Sequence, residues 1–316
     1  MAVGFDPRIR LRHLTAFLET IRQGGVARAG AELGMTQPAV SKAIAELESI
    51  TGVALFDRSR RALTLTAEGE VFARFAQAGI ATIGQGIDTL RSTRDGVSSV
   101  AFGALPSVTA DVVPRALMAF ARAPLACRTL VESGPSPYLL GLLRRGAIDF
   151  VVGRLARPEA MEGLSFEQLC SERLVLVVRP SHPLAAEVRV SLQQAAGYAW
   201  LMPPRDAIIR PAIDALLIAG GVSRLAQEFE TVSNSLGRAL TLQSDSVWAI
   251  SESVVRADLA TGQLVRLAAD MAATLGPIGI TTRTAAELTA PTLELIAAIR
   301  AAGRSEAGMT TLNSDR

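Results

Sequence analysis

Gln37 and Ser41 stand four residues apart, one turn on a helix, with Val40, Ile44 and Leu47 repeating at i, i+4, i+7 on the other side. The apolar row must face a core, which leaves the two polar side chains free to enter a groove. A glutamine amide pairs with N6 and N7 of adenine, and a serine hydroxyl serves as donor or acceptor on a base edge. Lys42 is better placed for a phosphate, where it positions without specifying, and Pro38 for packing on backbone sugar. Thr36 is a fit N-cap, and Pro38 falls in the first turn, where its missing N–H costs nothing. Farther along, Arg58, Arg60 and Arg61 cluster at the tip of two short strand-like runs. Such a cluster neutralises phosphates or enters a narrow minor groove. The plainer alternatives are an exposed polar helix face and a solvated charge cluster.

A second chemistry is spread over several strand ends. Ser107, Val108 and Thr109 follow one strand, Gly134, Pro135 and Ser136 another, and Thr231, Ser233 and Asn234 precede a helix. In open α/β sheets, ligands sit outside the carboxyl ends of strands, and helix N-termini with free N–H groups suit a carboxylate. Arg154 after a strand, and Arg205 in the turn that opens with Pro203, can add charge-assisted bonds. Ser, Thr and Asn are also the ordinary helix caps, so each residue has a structural reading of equal weight. Catalysis finds no support. His13 and His182 are the two histidines, and neither has a nucleophile motif beside it. No phosphate-binding glycine loop, metal-ligand cluster or cofactor motif is present in the sequence.

The elements that must position these residues read in order. Leu11, Leu14, Leu18 and Ile21 mark a first helix that Gly24-Gly25 stops. Val26 to Leu33 make a short second helix, broken by Gly34, and the helix carrying Gln37 follows. Helix, tight turn, helix is a helix-turn-helix. Leu55-Phe56 and Leu63–Leu65 read as the strands of a wing, and Thr66 can cap the next helix. There Ala76, Ile80, Ile83, Ile87 and Leu90 step by 4, 3, 4, 3, the spacing of a helix-pairing seam. Gly79, Gly84 and Gly86 each cost roughly 1 kcal/mol of helix propensity, so a partner helix explains this segment better than packing on its own domain. From 97 strands alternate with helices (100–105, 110–121, 127–132, 136–145, 149–153, 174–178). A second set follows at 198–202, 208–219, 227–231, 234–243 and 246–250, then a late strand at 278–282 and a helix at 290–302. This order predicts mostly parallel sheets with helices on their faces. Residues 304–316 are polar and read as a disordered tail.

The totals fit this division. A chain of 316 residues with 49% apolar content has more than one core. Residues 1–61 carry nine Arg/Lys against six Asp/Glu, a net +3, while the remainder carries −1. A basic end on a near-neutral body points to a polyanion met by the N-terminal part alone. No run of about 18 apolar residues predicts a membrane span, and the first residues lack the apolar core of a secretion signal. Cys127 and Cys170 have no close spacing, which fits a reducing cytoplasm better than a zinc site or a disulfide scaffold. A redox pair is the minor alternative.

Residues 29–66 resemble the LysR-type transcriptional regulators. The matching runs are Ala-Gly-Ala-Glu-Leu, Thr-Gln-Pro-Ala-Val-Ser-Lys-Ala-Ile-Ala-Glu-Leu-Glu, Gly-Val-Ala-Leu-Phe-Asp-Arg and Leu-Thr-Leu-Thr-Ala-Glu-Gly. His-Pro-Leu at 182–184 and Gly-Ala-Ile-Asp-Phe at 146–150 extend the likeness, which spans roughly 8–303. Gly30 departs from it, since the family usually has alanine there, and a slightly softer second helix is the expected effect. Gly-Ala-Leu-Pro-Ser-Val (103–108), Val-Val-Gly-Arg-Leu (151–155) and Ser-Phe-Glu-Gln-Leu (165–169) resemble the branch that regulates protocatechuate catabolism and the neighbouring galactose-binding-protein regulators.

The resemblance implies an α/β chain with an all-α winged helix-turn-helix head at 1–65 and a linker and dimerisation helix at 66–96. An effector domain at 97–303 would follow, built as two α/β subdomains resembling type 2 periplasmic binding proteins (97–173 with 280–303, and 174–279), with crossovers near 172–178 and 276–281. Double-stranded DNA, a small-molecule effector and further copies of the chain, as homodimer or homotetramer, are the implied partners. A doubly wound enzyme and a transport-type solute-binding protein are the rivals. The first needs a catalytic constellation that is missing from the sequence, and the winged head opposes the second.

Overall fold

The computed structural model describes residues 6–57, 63–95, 97–284 and 286–312. Arg58, Arg60 and Arg61 lie outside them. The chain forms two compact units, Met1–Arg91 with Arg144–Ala147, and Ser92–Leu143 with Ile148–Arg316. Among the described residues no helix is long and apolar enough to cross a membrane.

The first unit opens with α1 (Leu11–Gln23), α2 (Val26–Leu33) and α3 (Gln37–Thr51). Gly24, Gly34 and Gly52 end the three helices in the left-handed conformation, which a side chain would strain. Val40, Ile44 and Leu47 of α3 are buried with Ala16 and Phe17 of α1, and Ala29 of α2 joins the same core. Gly30 does more than soften α2. A Cβ there would lie 2.7 Å from the Met35 carbonyl, so the bare backbone lets α2 and the turn before α3 approach closely. The wing pairs β1 (Phe56–Asp57) with β2 (Thr64–Leu65) antiparallel, Phe56 opposite Leu65. Phe56 packs edge-on against Phe17, with ring centroids 5.4 Å apart, and seats the wing on the helical core.

Thr66 begins α4 (Ala67–Asp95), its hydroxyl accepting from Gly69 N at 2.9 Å. Of the expected seam, Ile83, Ile87 and Leu90 are exposed, Ile80 is partly buried and Ala76 is buried. The uncovered apolar face is therefore rotated towards Phe75, which the sequence reading passed over and which is 72% exposed.

The second unit holds two mixed five-stranded sheets. The first has the order β4-β3-β5-β12-β6, from β3 (Ser98–Ala104), β4 (Cys127–Ser133), β5 (Phe150–Arg154), β6 (Leu164–Glu172) and β12 (Gly276–Arg283). Its helices are α5 (Val112–Phe120), α6 (Ser136–Arg144) and α11 (Ala290–Leu312). Side chains alternate across it as strand geometry requires. Val100, Phe102, Phe150 and Val152 meet α5 and α11 on one face, and Val151 meets Leu139 and Leu143 of α6 on the other. The second sheet, β11-β7-β10-β8-β9, uses β7 (Leu174–Val178), β8 (Ala199–Met202), β9 (Gln227–Glu230), β10 (Val247–Ser251) and β11 (Val265–Arg266). The short α7 (Leu192–Ala195) and α8 (Arg210–Ala219) cover one face, α9 (Asn234–Gln243) and α10 (Glu252–Ala260) the other.

Three expectations are corrected. The sheets are not mostly parallel. β4-β3-β5 and β10-β8-β9 are parallel, but β12 runs antiparallel to both β5 and β6, and β7 to both β10 and β11. The chain leaves the first sheet at Arg173 and returns only at Gly276, so strands arriving from the other lobe run against their neighbours. The return comes earlier than the expected 280, because β12 already pairs with β6 at Gly276. Of the expected disordered tail, residues 304–312 continue α11 as far as Leu312, since Ala, Glu, Met and Leu favour a helix whatever their polarity.

Cys127 and Cys170 lie on the two edge strands of the first sheet, strands separated by four spacings or about 19 Å, too far for a disulfide. Burial also raises the Cys127 thiol above its ordinary pKa, away from the reactive thiolate.

His182 is buried and structural. Its Nδ1 accepts from Leu184 N at 3.0 Å, Nε2 lies 3.3 Å from the Asp245 carbonyl, and the ring leans on Tyr198 at 4.4 Å. Burial holds its pKa below the ordinary value of 6.5. The folded protein thus keeps the ring neutral while the unfolded chain takes a proton first. Its stabilising effect is complete above pH 6.5 and is lost as pH falls through the folded pKa. We expect denaturation midpoints to drop on acidification from pH 7.5 to 5. His182→Gln should lower the midpoint at pH 7.5 and flatten that drop; an equal acid slope in both proteins would remove His182 as its source.

Candidate functional site

On α3, Thr36, Gln37, Pro38, Ser41 and Lys42 are all exposed, opposite the buried row. Thr36 Oγ1 accepts from Ala39 N and fixes the first turn. The exposed row continues through Ala45, whose methyl suits a thymine methyl. Two carboxylates on α3, which the sequence reading did not single out, set its pose. Glu46 Oε2 meets buried His13 of α1 at 3.0 Å, with Arg12 at 3.3 Å. Glu48 Oε1 accepts from the backbone N–H of Leu55 and Phe56 at 2.9 and 3.2 Å, tying the wing to α3. The Glu46 carboxyl loses solvation against α1, yet His13, Arg12 and Lys42 hold its pKa below the usual carboxylate range.

In the second unit a cavity opens between the two sheets, with about 610 Å³ of empty space, open solvent included. Eight of the twelve expected effector residues line it: Ser107, Pro135, Ser136, Arg154, Pro203, Thr231, Ser233 and Asn234. Four others do not. Val108 is buried in the core of the first sheet. Thr109 turns its hydroxyl back to the Pro106 carbonyl at 2.9 Å, as a local cap. Gly134 only precedes the wall, and Arg205 stands exposed in the turn before α8.

The walls are largely apolar, with Leu105, Ile208, Ile209, Trp248 and Ile250 supplied by tertiary packing. The first turns of α6 and α9 open on the cavity at Ser136 and at Ser233-Asn234. Among the described residues, Ser107 and Ser136 have hydroxyls with no hydrogen-bond partner, whereas Ser233 Oγ caps α9 through Leu236 N at 3.3 Å. Gly153 brings the end of β5 against β3: a Cβ there would lie 2.1 Å from Leu105 Cδ1. Across the cleft, Asn234 Nδ2 donates to the Pro106 carbonyl and Ser253 Oγ to the Ser107 carbonyl, both at 2.9 Å. The Arg256–Asp111 pair lies alongside.

Behind one wall stands Arg210, which the sequence reading missed. Its guanidinium reaches Asp214, Glu228 and Glu230 at 2.7, 2.7 and 2.8 Å, and the Pro203 carbonyl at 3.0 Å. It thereby fixes the lining Pro203 after β8 and the end of β9, which leads into the lining Thr231. Burial works against its charge, but the carboxylates outweigh burial and raise its pKa.

Comparison with known proteins agrees with both halves. Residues 11–70 match the family described as bacterial regulatory helix-turn-helix protein, lysR family, and residues 95–304 match the LysR substrate binding domain. The chain is 41% identical over 308 residues to the HTH-type transcriptional regulator PcaQ of Agrobacterium fabrum, covering 96% of this chain and 99% of that one. Its fold is similar to full-length LysG of Corynebacterium glutamicum with bound effector arginine (TM-score 0.62, 18% identity, 94% and 99% covered). It is similar also to full-length CbnR complexed with its target DNA (TM-score 0.56, 20% identity, 93% and 100% covered). A helix-turn-helix that presents a polar face, followed by a two-lobed domain with a cleft, matches these relatives over nearly its whole length, and the chain belongs to the LysR family of DNA-binding transcriptional regulators with an effector-binding domain.

Proposed function

We propose that this regulator works in the cytoplasm as a dimer or tetramer, reads its operator with Gln37 and Ser41, and is switched by a small carboxylate held between the two lobes. The observation that carries the sensing half is the cavity itself. Apolar walls enclose two helix N-termini, two unpartnered hydroxyls and one guanidinium, donors that a buried carboxylate needs. The resemblance to the protocatechuate branch and the identity with PcaQ favour an acid from aromatic catabolism, with sugar acids next. A thermal-shift screen of benzoate, 3,4-dihydroxybenzoate, cis,cis-muconate and galactarate on the full chain tests it. Stabilisation by an acid that Ser107→Ala with Ser136→Ala suppresses supports the cleft, and a response untouched by the pair places sensing elsewhere.

The reading half has its own test. Gln37→Ala or Ser41→Ala should cost about 1–3 kcal/mol of specific binding and leave binding to random DNA nearly intact. Competition gel shifts measure the ratio, and equal losses on both DNAs would take base reading away from these residues.

A further inference from the structure

Arg154 ends β5 at the cavity and is the one ionisable side chain among the lining residues. Its guanidinium is held on one edge. Nη2 donates to the Thr274 carbonyl, while Nη1 is buried with no hydrogen-bond partner among the described residues. Burial lowers its pKa and the nearby Glu172 charge raises it again; an arginine stays protonated at neutral pH regardless. Buried donors without acceptors are costly and rare, more so on a cation. An acceptor therefore belongs on Nη1.

The backbone makes room for this group. A Cβ on Gly276 would lie 2.2 Å from Nη2 and 2.7 Å from Cζ, so the bare glycine lets the guanidinium rest against the start of β12. Its partners sit in the two connections between the lobes. Thr274 precedes β12 in the second crossover, and its Oγ1 accepts from Leu174 N, in the first crossover, at 2.9 Å. Glu172 ends β6 at that first crossover, where its Oε1 accepts from Ser253 N at 2.6 Å. One guanidinium thus meets the cavity and the second crossover, and through Thr274 it is linked to the first.

We propose that Arg154 anchors a carboxylate oxygen of the effector on Nη1 and passes its occupancy, through Thr274, to both crossovers. The idea rests on the carboxylate-sensor reading above and adds where the anion binds and how the lobes feel it. A carboxylate on Nη1 fixes a group already tied to Thr274, and it biases the lobes by whatever difference in affinity it has for their two settings. Nη1 is closed to water in this structure, so the charge of the ligand is the discriminating variable.

The experiment is calorimetry on the full chain with benzoate, 3,4-dihydroxybenzoate, cis,cis-muconate and galactarate, each beside its neutral amide. Wild type should bind an acid and not its amide. Arg154→Met should weaken that acid on the order of 30-fold, the scale of a lost charge-assisted hydrogen bond. Arg154→Lys should recover part of the affinity. Gly276→Ala keeps the charge but displaces the guanidinium, and should weaken the acid while circular dichroism is unchanged. Equal affinity in wild type, Arg154→Met and Gly276→Ala overturns the anchor and leaves cleft sensing standing. Binding of none of the acids to wild type overturns the carboxylate reading and the anchor with it. Hydrogen exchange reads the second half: the acid should slow amides at 172–174 and 273–276. Protection confined to 105–109 and 231–236 overturns the link to the crossovers.

Discussion

Replacing Ile83 by aspartate should halve the mass of the particle in light scattering and cut operator affinity by about 10²-fold or more. Phe75, Ile83, Ile87 and Leu90 are 72%, 51%, 46% and 72% exposed along one side of α4. Gly79, Gly84 and Gly86 on the same helix have nothing within 4 Å of a Cβ position, so that side of the helix is open, while Ala81 on the other side is buried. A helix with three glycines and an uncovered apolar face gains order from a second copy. In a two-fold pairing the substitution enters twice, and each aspartate would be buried without a partner, at several kcal/mol each. Two heads then no longer share one operator, and the gain from linked half-sites disappears. The cleft of the second unit has its own core, so ligand-induced thermal shifts should persist. Phe75→Asp should act alike, because the exposed face is rotated towards it. If Ile83→Asp keeps the wild-type mass at micromolar concentration and binds the operator equally well, α4 does not pair the heads.

Arg210→Met should lower the stability of the second unit by about 2–3 kcal/mol in urea denaturation. The guanidinium side chain is 7% exposed and serves three carboxylates and one carbonyl. Removing one partner of a buried pair usually costs about 3–5 kcal/mol. Here the carboxylates of Asp214, Glu228 and Glu230 are 45%, 31% and 40% exposed, so water screens part of the repulsion left behind. The Pro203 carbonyl loses a donor as well. Because Arg210 holds the lining Pro203 and the strand end that leads into the lining Thr231, effector affinity should fall with stability, and Arg210→Lys should recover less than half of either, lacking the planar fork. A change below about 0.5 kcal/mol would be that of a solvated surface cluster.

The head was legible in the sequence because its signals are local. Thr36 caps, Pro38 starts, Gly34 and Gly52 stop, and the 40, 44, 47 row fixes which side of α3 is buried; with that side known, Gln37 and Ser41 can only face outward. Strands such as Leu174–Val178 were equally plain, since both faces are covered and every residue is apolar. What the sequence could not supply depends on partners far along the chain. Ser107 and Thr109 look alike as residues after a strand, yet one faces the cavity and the other caps its own turn, a choice made by the twist of a few backbone angles. Glu228 and Glu230 are only two polar residues of a strand in the sequence, until α8 brings Arg210 beneath them. Arg154 becomes singular only because Gly276 and Thr274, more than a hundred residues later, return to its strand. Local periodicity determines which face of an element is buried. Which buried faces meet, and so where donors gather around a cavity, is decided by contacts between distant segments that no single stretch of sequence contains.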